Sequence, residues 1–423
     1  MPNILIKNVS MVDRPHKAHI GVTNDVISFV GEELPADFSP DITIDGEGKL
    51  AAPGFVNAHT HASMTLLRSY ADDMRLMDWL KNKIWPAEAT FDRNDIYWGA
   101  MLSIAEMLRS GTTTFADMYY FMDDVAKAVE ETGIRAVLSR GLTGGDDSDG
   151  KSLAENEDLY HKWHNAADGR ITVMFGPHAP YTCSGKFIKR IVAAAGRLGA
   201  GIHMHLSETA DEVENCLKQN GKTPIAWMGE LGLFELPTLA AHCVFATKEE
   251  IAIMRAKNVA VAHNPQSNLK LASGIAPVPD MLNAGVLVAL GTDGASSNNN
   301  LDLLEEMRLV SILHKGVTGN PLVIPAREAF DMATINGAKA LRIDNCGYLA
   351  AGAKADIVLF DIDKIHWHPK FNLCQLMVYA GQSADVDTVM VNGKILLEKG
   401  RLNTIDEEKV KYEVNKRVQK FAS

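Results

Sequence analysis

A chain of 423 residues is too long for one ordinary domain but suits a large α/β barrel with a smaller attachment, and 46% hydrophobic with 22% charged residues gives a core that needs no disulfide staples. A net charge of −11 with no basic run argues against nucleic acid or an anionic membrane surface as a partner. Five scattered cysteines (Cys183, Cys216, Cys243, Cys346 and Cys374) form no C-x-x-C and read as reduced thiols of a cytoplasmic protein.

In chain order, the opening MPNILIKNVSMVD has no charged head before an apolar core and reads as a strand start, not a signal peptide. Across residues 1–55, ILIKNVSMV, HIGVTNDVISFVGE and TIDGEGKL are Ile- and Val-rich runs broken by Gly, Asn and Asp, the texture of short strands. From 56 to 350 the pattern changes. VNAHTH, TTTFADM, IRAVLSRG, ITVMFGPH, GIHMHL, TLAAHCV, VAVAHNP and VLVALGTD alternate with helical stretches such as RNDIYWGAMLSIAEMLRSG and SGKFIKRIVAAAGRLG. Eight such units predict an α/β architecture, a (β/α)8 TIM barrel. GLTGGDDSDGKS (141–152) reads as a loop over a site. Residues 351–423 return to strands in DIVLFDID and TVMVNGKILLEKG, with NG as a hairpin signal, before a helical EEKVKYEVNKRVQKFA. Both chain ends are expected to meet in one small β-sandwich domain. The longest apolar runs are too short to span a bilayer.

Barrel enzymes carry their chemistry at the C-terminal ends of the strands. Seven of the 14 histidines fall there: His59, His61, His178, His203, His205, His242 and His263. Residues i and i+2 of a strand share a side, so His59 and His61 project together. With His205 and Asp293 they make three imidazoles and a carboxylate, a set suited to one zinc or ferrous ion. His203, one layer deeper, reads as a satisfied core histidine, and His263 as a residue that orients a neighbour or caps the NPQSN turn. Two-metal barrel hydrolases bridge their ions with a modified lysine. ITVMFGPH, the fourth strand, has none, which favours one divalent metal per subunit. Such an ion brings bound water near neutrality and supplies the nucleophile. Asp293 would accept the water's proton, His242 would hold the nucleophile in line, and Glu208 would donate a proton to a ring nitrogen and later to the leaving group. The set fits hydrolysis at an electrophilic carbon bearing nitrogen. The bland alternative for Glu208 is an acidic helix start in SETADE.

PGFVNAHTH, HMHLSET, AAHCV and LGTDG, in this order, resemble the amidohydrolase superfamily over essentially the whole chain. Finer stretches, among them HASMTLLRSYADDMRLMDWLKNKIWPAEA, GPHAPYTCS, AHNPQSNLKLASGIAPV and GTDGASSNNNLDLLEEMRL, resemble its branch of 5-methylthioadenosine/S-adenosylhomocysteine deaminases. The resemblance implies zinc, with iron(II) as the alternative, and a purine nucleoside substrate. It implies that Trp79 packs on the sugar or thioether side, that Glu88 accepts from both ribose hydroxyls, and that Arg140 and His178 stand near the tail and purine. The family can place an arginine before L-x-E-N to meet the amino-acid carboxylate of S-adenosylhomocysteine. This chain reads DGKSLAEN, with Ser152 aligned and Lys151 beside it, and lysine is a point charge without arginine's fork. That leaves the tail to Lys151 and Arg140, or points to a substrate with a neutral tail. The implied reaction is hydrolytic deamination at purine C6, giving S-inosylhomocysteine or 5′-methylthioinosine. The alternatives are a single-metal guanine or triazine aminohydrolase, a chlorohydrolase, a two-metal cyclic-amide hydrolase and an inactive scaffold. Exposed apolar helices would permit a homo-oligomer.

Overall fold

Strand-forming runs pair in chain order because each is followed by a helix that returns the chain to the same end of the sheet. In the computed structural model, which describes residues 2–421, β1 (Ile4–Met11), β2 (Arg14–Thr23), β3 (Val26–Gly31), β4 (Ile42–Asp45) and β5 (Lys49–Pro53) precede the barrel. Its eight strands are β6 (Phe55–Thr60), β7 (Thr112–Tyr119), β8 (Arg135–Leu142), β9 (Ile171–Pro177), β10 (Ile202–Leu206), β11 (Thr238–His242), β12 (Ala260–His263) and β13 (Leu287–Leu290). They form one parallel sheet in sequence order. Side-chain and backbone hydrogen bonds from the residues just past β13 complete the ring to β6. Asn57 Nδ2 donates to Thr292 Oγ1 at 2.7 Å, the Thr292 N–H donates to Asn57 Oδ1 at 3.0 Å, and the Asp293 N–H donates to the His59 carbonyl at 2.9 Å. One face of the strands carries Phe55, Phe115 and Phe175 into the core shared with the helices. The other carries mostly small residues, Ala116, Ala262 and Ala289 with Val137 and Leu239. Small residues there leave room for the imidazoles above them.

The sandwich is assembled from both ends of the chain. β14 (Ile357–Asp361) runs antiparallel to β5, with Ile357 opposite Pro53, and β15 (Val386–Val391), β16 (Lys394–Glu398) and β17 (Arg401–Leu402) extend that edge. The expected hairpin lies between β15 and β16. Asn392 and Gly393 both have positive φ, 50° and 74°, as a two-residue primed turn requires. The terminal helix Glu407–Val418 packs on Arg93–Arg109. Among the described residues no helix is long and apolar enough to cross a membrane.

Two local features bear on the site. The insertion between β6 and helix Arg93–Arg109 forms a roof of short turns, including a π-turn at Leu80–Ile84. The loop expected over 141–152 is shorter than predicted. Leu142 still belongs to β8, Gly150 turns the chain at φ 79°, and Lys151 and Ser152 begin the helix Lys151–Trp163. The Asp149 carboxylate accepts from the Lys151 N–H at 3.0 Å, so the local DSDG chemistry starts a helix early.

Candidate metal centre and catalytic site

Four donor atoms converge above the barrel. His59 lies in β6, His61 one residue beyond it, His205 in β10 and Asp293 three residues past β13. Asp293 Oδ1 is 3.3 Å from His59 Nε2 and 3.2 Å from His61 Nε2, and His205 Nε2 is 3.2 Å from His61 Nε2. The opposite ring nitrogens are already engaged. His61 Nδ1 donates to the Met118 carbonyl at 2.7 Å, and His205 Nδ1 donates to the His178 carbonyl at 2.6 Å. His59 Nδ1 pairs with His203 Nε2 at 2.8 Å. In the neutral rings of His61 and His205 this places the proton on Nδ1 and turns the lone pair of Nε2 toward the other donors, the outer-shell arrangement of ligating histidines. Buried His59 Nε2 has no hydrogen-bond partner of its own. Asp293 is equally fixed, its Oδ2 accepting from Ser267 Oγ at 2.7 Å and Ser297 Oγ at 2.8 Å.

Electrostatics favour a cation here. At His61 the lowering effect of burial is overcome by the Asp293 carboxylate, and the ring rises to about 9. At His59 burial prevails and lowers the ring to about 4. Both imidazoles face the same Asp293 carboxylate oxygen, a buried negative charge with nitrogen donors on either side. Two overlapping sets, His59–His61–Asp293 and His59–His205–His242, each bring their donor atoms within 4.8 Å of one another, and nitrogen and carboxylate donors of this kind suit a single first-row divalent metal. The fourth strand, β9, contains no lysine to bridge a second ion.

Glu208 and His242 border the donors. Glu208 stands two residues beyond β10, with Oε2 3.9 Å from His242 Nε2. Burial raises its carboxyl, against the pull of His242. His242 Nδ1 has Asn268 Oδ1 at 2.8 Å and Asn264 Nδ2 at 3.3 Å; donation to the nearer oxygen leaves Nε2 as the lone-pair nitrogen facing Glu208. His242 and Asp293 both hold left-handed backbone, φ 71° and 60°. Such cost in non-glycine residues collects where a side chain must be aimed.

The donors open into a narrow inner chamber walled by Trp79, Glu88, Tyr119, His178 and Tyr181, continuous with an outer cavity of about 750 Å³ that shares Trp85, Glu88 and His178. Trp79 is buried, with Nε1 unpartnered. Glu88 accepts from the Tyr119 hydroxyl at 2.5 Å, and burial lifts its carboxyl to about 7. Burial and the imidazoles around it lower His178 to about 3, so it is neutral; its Nδ1 pairs with Thr182 Oγ1 at 3.0 Å. Arg140 and Lys151 lie apart from the donors, on the outer cavity. Arg140 is engaged by Glu155 at 2.8 Å and stacks over Tyr120, whereas Lys151 has no ion-pair partner among the described residues.

Two histidines differ from expectation. His203 is buried, but it is bonded through Nε2 to the ligand-like His59 and its Nδ1 is unpartnered. His263 caps nothing; both ring nitrogens lack partners, and the ring faces His314 at 5.8 Å. The turn after it matters through other residues: Ser267 holds Asp293 and Asn268 holds His242. The polar cluster NPQSN signalled a turn, but not which side chains it supports. Tyr119 and Thr182 were equally unmarked.

The barrel, the sandwich and this centre define a class, and the chain belongs to the amidohydrolase family, whose model matches residues 50–396. Within it, the chain is 51% identical over 431 residues to the 5-methylthioadenosine/S-adenosylhomocysteine deaminase of Pelotomaculum thermopropionicum, covering 100% of both chains. Its fold matches that of an adenosine deaminase from Xanthomonas campestris with bound zinc at TM-score 0.95 and 34% identity, over 99% of this chain and 98% of that one. The atrazine chlorohydrolase of Arthrobacter aurescens, complexed with zinc, matches at TM-score 0.91 and 25% identity, over 98% and 100%.

Proposed function

We infer that the protein is a C–N hydrolase that deaminates adenosine derivatives at purine C6, converting S-adenosylhomocysteine to S-inosylhomocysteine and 5′-methylthioadenosine to 5′-methylthioinosine. The observation that carries this is the joint placement of Glu208 and His242 beside the His59, His61, His205 and Asp293 donors, at the foot of a cavity whose wall holds Glu88. The name shared by full-length relatives at about half identity supports the substrate. Those four residues would hold one divalent ion, read as zinc from the zinc-bound neighbours, although iron(II) accepts the same ligands. Such an ion acidifies the attacking water.

The remaining chemistry belongs to the chain. Asp293 accepts a proton of the attacking water, and the lone pair of His242 Nε2 holds that water in line with C6. Glu208, whose proton affinity burial raises, delivers a proton to N1 as the oxygen adds. Asp293 returns its proton to the exocyclic amine, the C6–N6 bond breaks and ammonia leaves, and the hydroxyl proton still on the C6 oxygen passes to the Glu208 carboxylate, which restores the acid. Water in and ammonia out balance the exchange of an amino group for a carbonyl oxygen. Glu88 accepts from the ribose hydroxyls, Trp79 packs on the sugar side, and His178 lies toward the purine. Lys151, with Arg140 behind it, is the cation open to a tail carboxylate. Five buried, unpaired cysteines suit the cytoplasm.

The test is loss of adenine ultraviolet absorbance with metal-loaded protein and 5′-methylthioadenosine, S-adenosylhomocysteine, adenosine and guanine in parallel. Rapid conversion of the first two supports the reading. Turnover of guanine alone, or of no adenosine compound by metal-loaded protein, overturns the substrate assignment and leaves the metal centre standing.

A further inference from the structure

Two helices open on the same spacing with threonine as the N-cap, T-x-x-E at Thr209–Glu212 and at Thr247–Glu250. At the second the outcome is an ordinary capping box. Thr247 Oγ1 accepts from the Glu250 N–H at 3.3 Å, and Glu250 Oε2 accepts from the Thr247 N–H at 2.8 Å. At the first only half of that box forms. Thr209 Oγ1 accepts from the Glu212 N–H at 3.2 Å, but the Glu212 carboxylate reaches past Thr209. Its Oε1 accepts from the Ser207 N–H at 2.9 Å and its Oε2 from the Glu208 N–H at 2.7 Å.

That displacement falls on the turn that presents Glu208. Ser207 is the first residue after β10, and it holds left-handed backbone at φ 49° with no glycine to ease it. The Glu208 side chain is held only loosely from the side: His242 Nε2 is 3.9 Å away, and the buried Ser273 hydroxyl beside it makes no close hydrogen bond. Its direction is therefore set by the backbone beneath it, and that backbone is pinned by both oxygens of one buried carboxylate. A buried acid costs free energy unless its hydrogen bonds are made, and here they are made to the two N–H groups that aim the proton donor. We propose that Glu212 is a positioning residue for Glu208, clamping the Ser207–Glu208 turn so that the acid points at the reacting purine. This rests on Glu208 acting as the proton donor.

The experiment compares steady-state deamination of 5′-methylthioadenosine by metal-loaded wild type, Glu212→Gln, Glu212→Ala, Glu208→Gln, the double variant E208Q/E212Q, and Glu250→Gln as a control for loss of a buried helix-start glutamate, whose other oxygen accepts from Thr223 Oγ1. Glu212→Gln has wild-type shape but brings an amide N–H against a backbone N–H, so it breaks one arm of the clamp without opening a cavity. Equal circular dichroism and metal content establish that each variant is folded. The expected result is a kcat loss of about tenfold to a hundredfold in the Glu212 variants with KM little changed, the size of a misplaced catalytic group. Glu250→Gln is expected to lower Tm and keep kcat, and E208Q/E212Q to be no slower than Glu208→Gln alone. Wild-type kcat in folded Glu212→Gln overturns the proposal, as does a Glu212 loss that multiplies onto Glu208→Gln. Full turnover by Glu208→Gln instead removes the donor role itself, a failure separable from the first.

Discussion

Burial raises the Glu88 carboxyl, and the Tyr119 hydroxyl and the nearby His61 lower it, with the balance at about 7. A carboxylate accepts from two hydroxyls, whereas the neutral acid must donate one of its own protons. Because the value is raised, the neutral form persists up to about neutrality, and the anion that suits the ribose prevails above it. The KM for 5′-methylthioadenosine is therefore expected to rise as pH falls through about 7. In Glu88→Gln it is expected to be high and flat across that range. Free adenine, lacking the ribose, should show neither effect. KM measured against pH for both proteins decides it; an unchanged acid limb in Glu88→Gln would assign the titration elsewhere. The resemblance pointed to Glu88, but nothing in the sequence marked Tyr119, thirty-one positions away, as its partner.

Elements were legible wherever a period governed them. H-x-H, HMH and the apolar runs around them gave the strands, and strand ends gave the donors, because side-chain alternation is local. What escaped was set by tertiary contact: the serines and asparagine behind Asp293 and His242. Helix Arg93–Arg109 shows the same limit, since Gly99 looks like a mere weakness in it. Gly99 lies against the turn Ala62–Leu67 that follows His61, where Ser63 Oγ donates to the Ile96 carbonyl at 2.8 Å and Thr65 Oγ1 to the Gly99 carbonyl at 2.7 Å. An added Cβ would meet the Ser63 carbonyl oxygen at 2.7 Å and its Cα at 2.9 Å. Helix propensity favours Gly99→Ala by about 1 kcal/mol. Overpacking against backbone costs about 1–3 kcal/mol and wins. Gly99→Ala is thus expected to lower Tm and, by pushing on the turn after His61, to weaken metal retention. Calorimetry and metal content after dialysis against a chelator test both; a rise in Tm would show that the turn yields freely.

At the scale of the whole molecule, two sheets must be held in register although the chain enters the barrel through a single residue, Gly54, between β5 and β6. The matching β texture of the two chain ends foretold the shared sheet, since only pairing satisfies such strands. The fastening between that sheet and the barrel was not foretold, because it joins residues 221 positions apart. Arg135, at the start of β8, donates through Nε to Asp356 Oδ2 at 2.9 Å, and through one terminal nitrogen to Asp356 Oδ1 at 3.2 Å and Asn392 Oδ1 at 2.9 Å. The Asn392 N–H donates to Asp356 Oδ1 at 2.7 Å, so β8, the approach to β14 and the β15–β16 turn share one buried knot. Both charged side chains are only 2% exposed, and such a pair gains little over apolar packing while intact. Removing one member strands the other. Arg135→Met is therefore expected to cost about 3–5 kcal/mol by urea denaturation. The double change R135M/D356L should recover part of that loss but not all, because it leaves the Asn392 N–H unpaired. The knot lies at the N-terminal ends of the strands, away from the donors, where residues serve stability. Folded Arg135→Met should accordingly keep its kcat. A loss well under 1 kcal/mol would mean that water reaches Asp356 and that the two sheets are held by apolar packing instead.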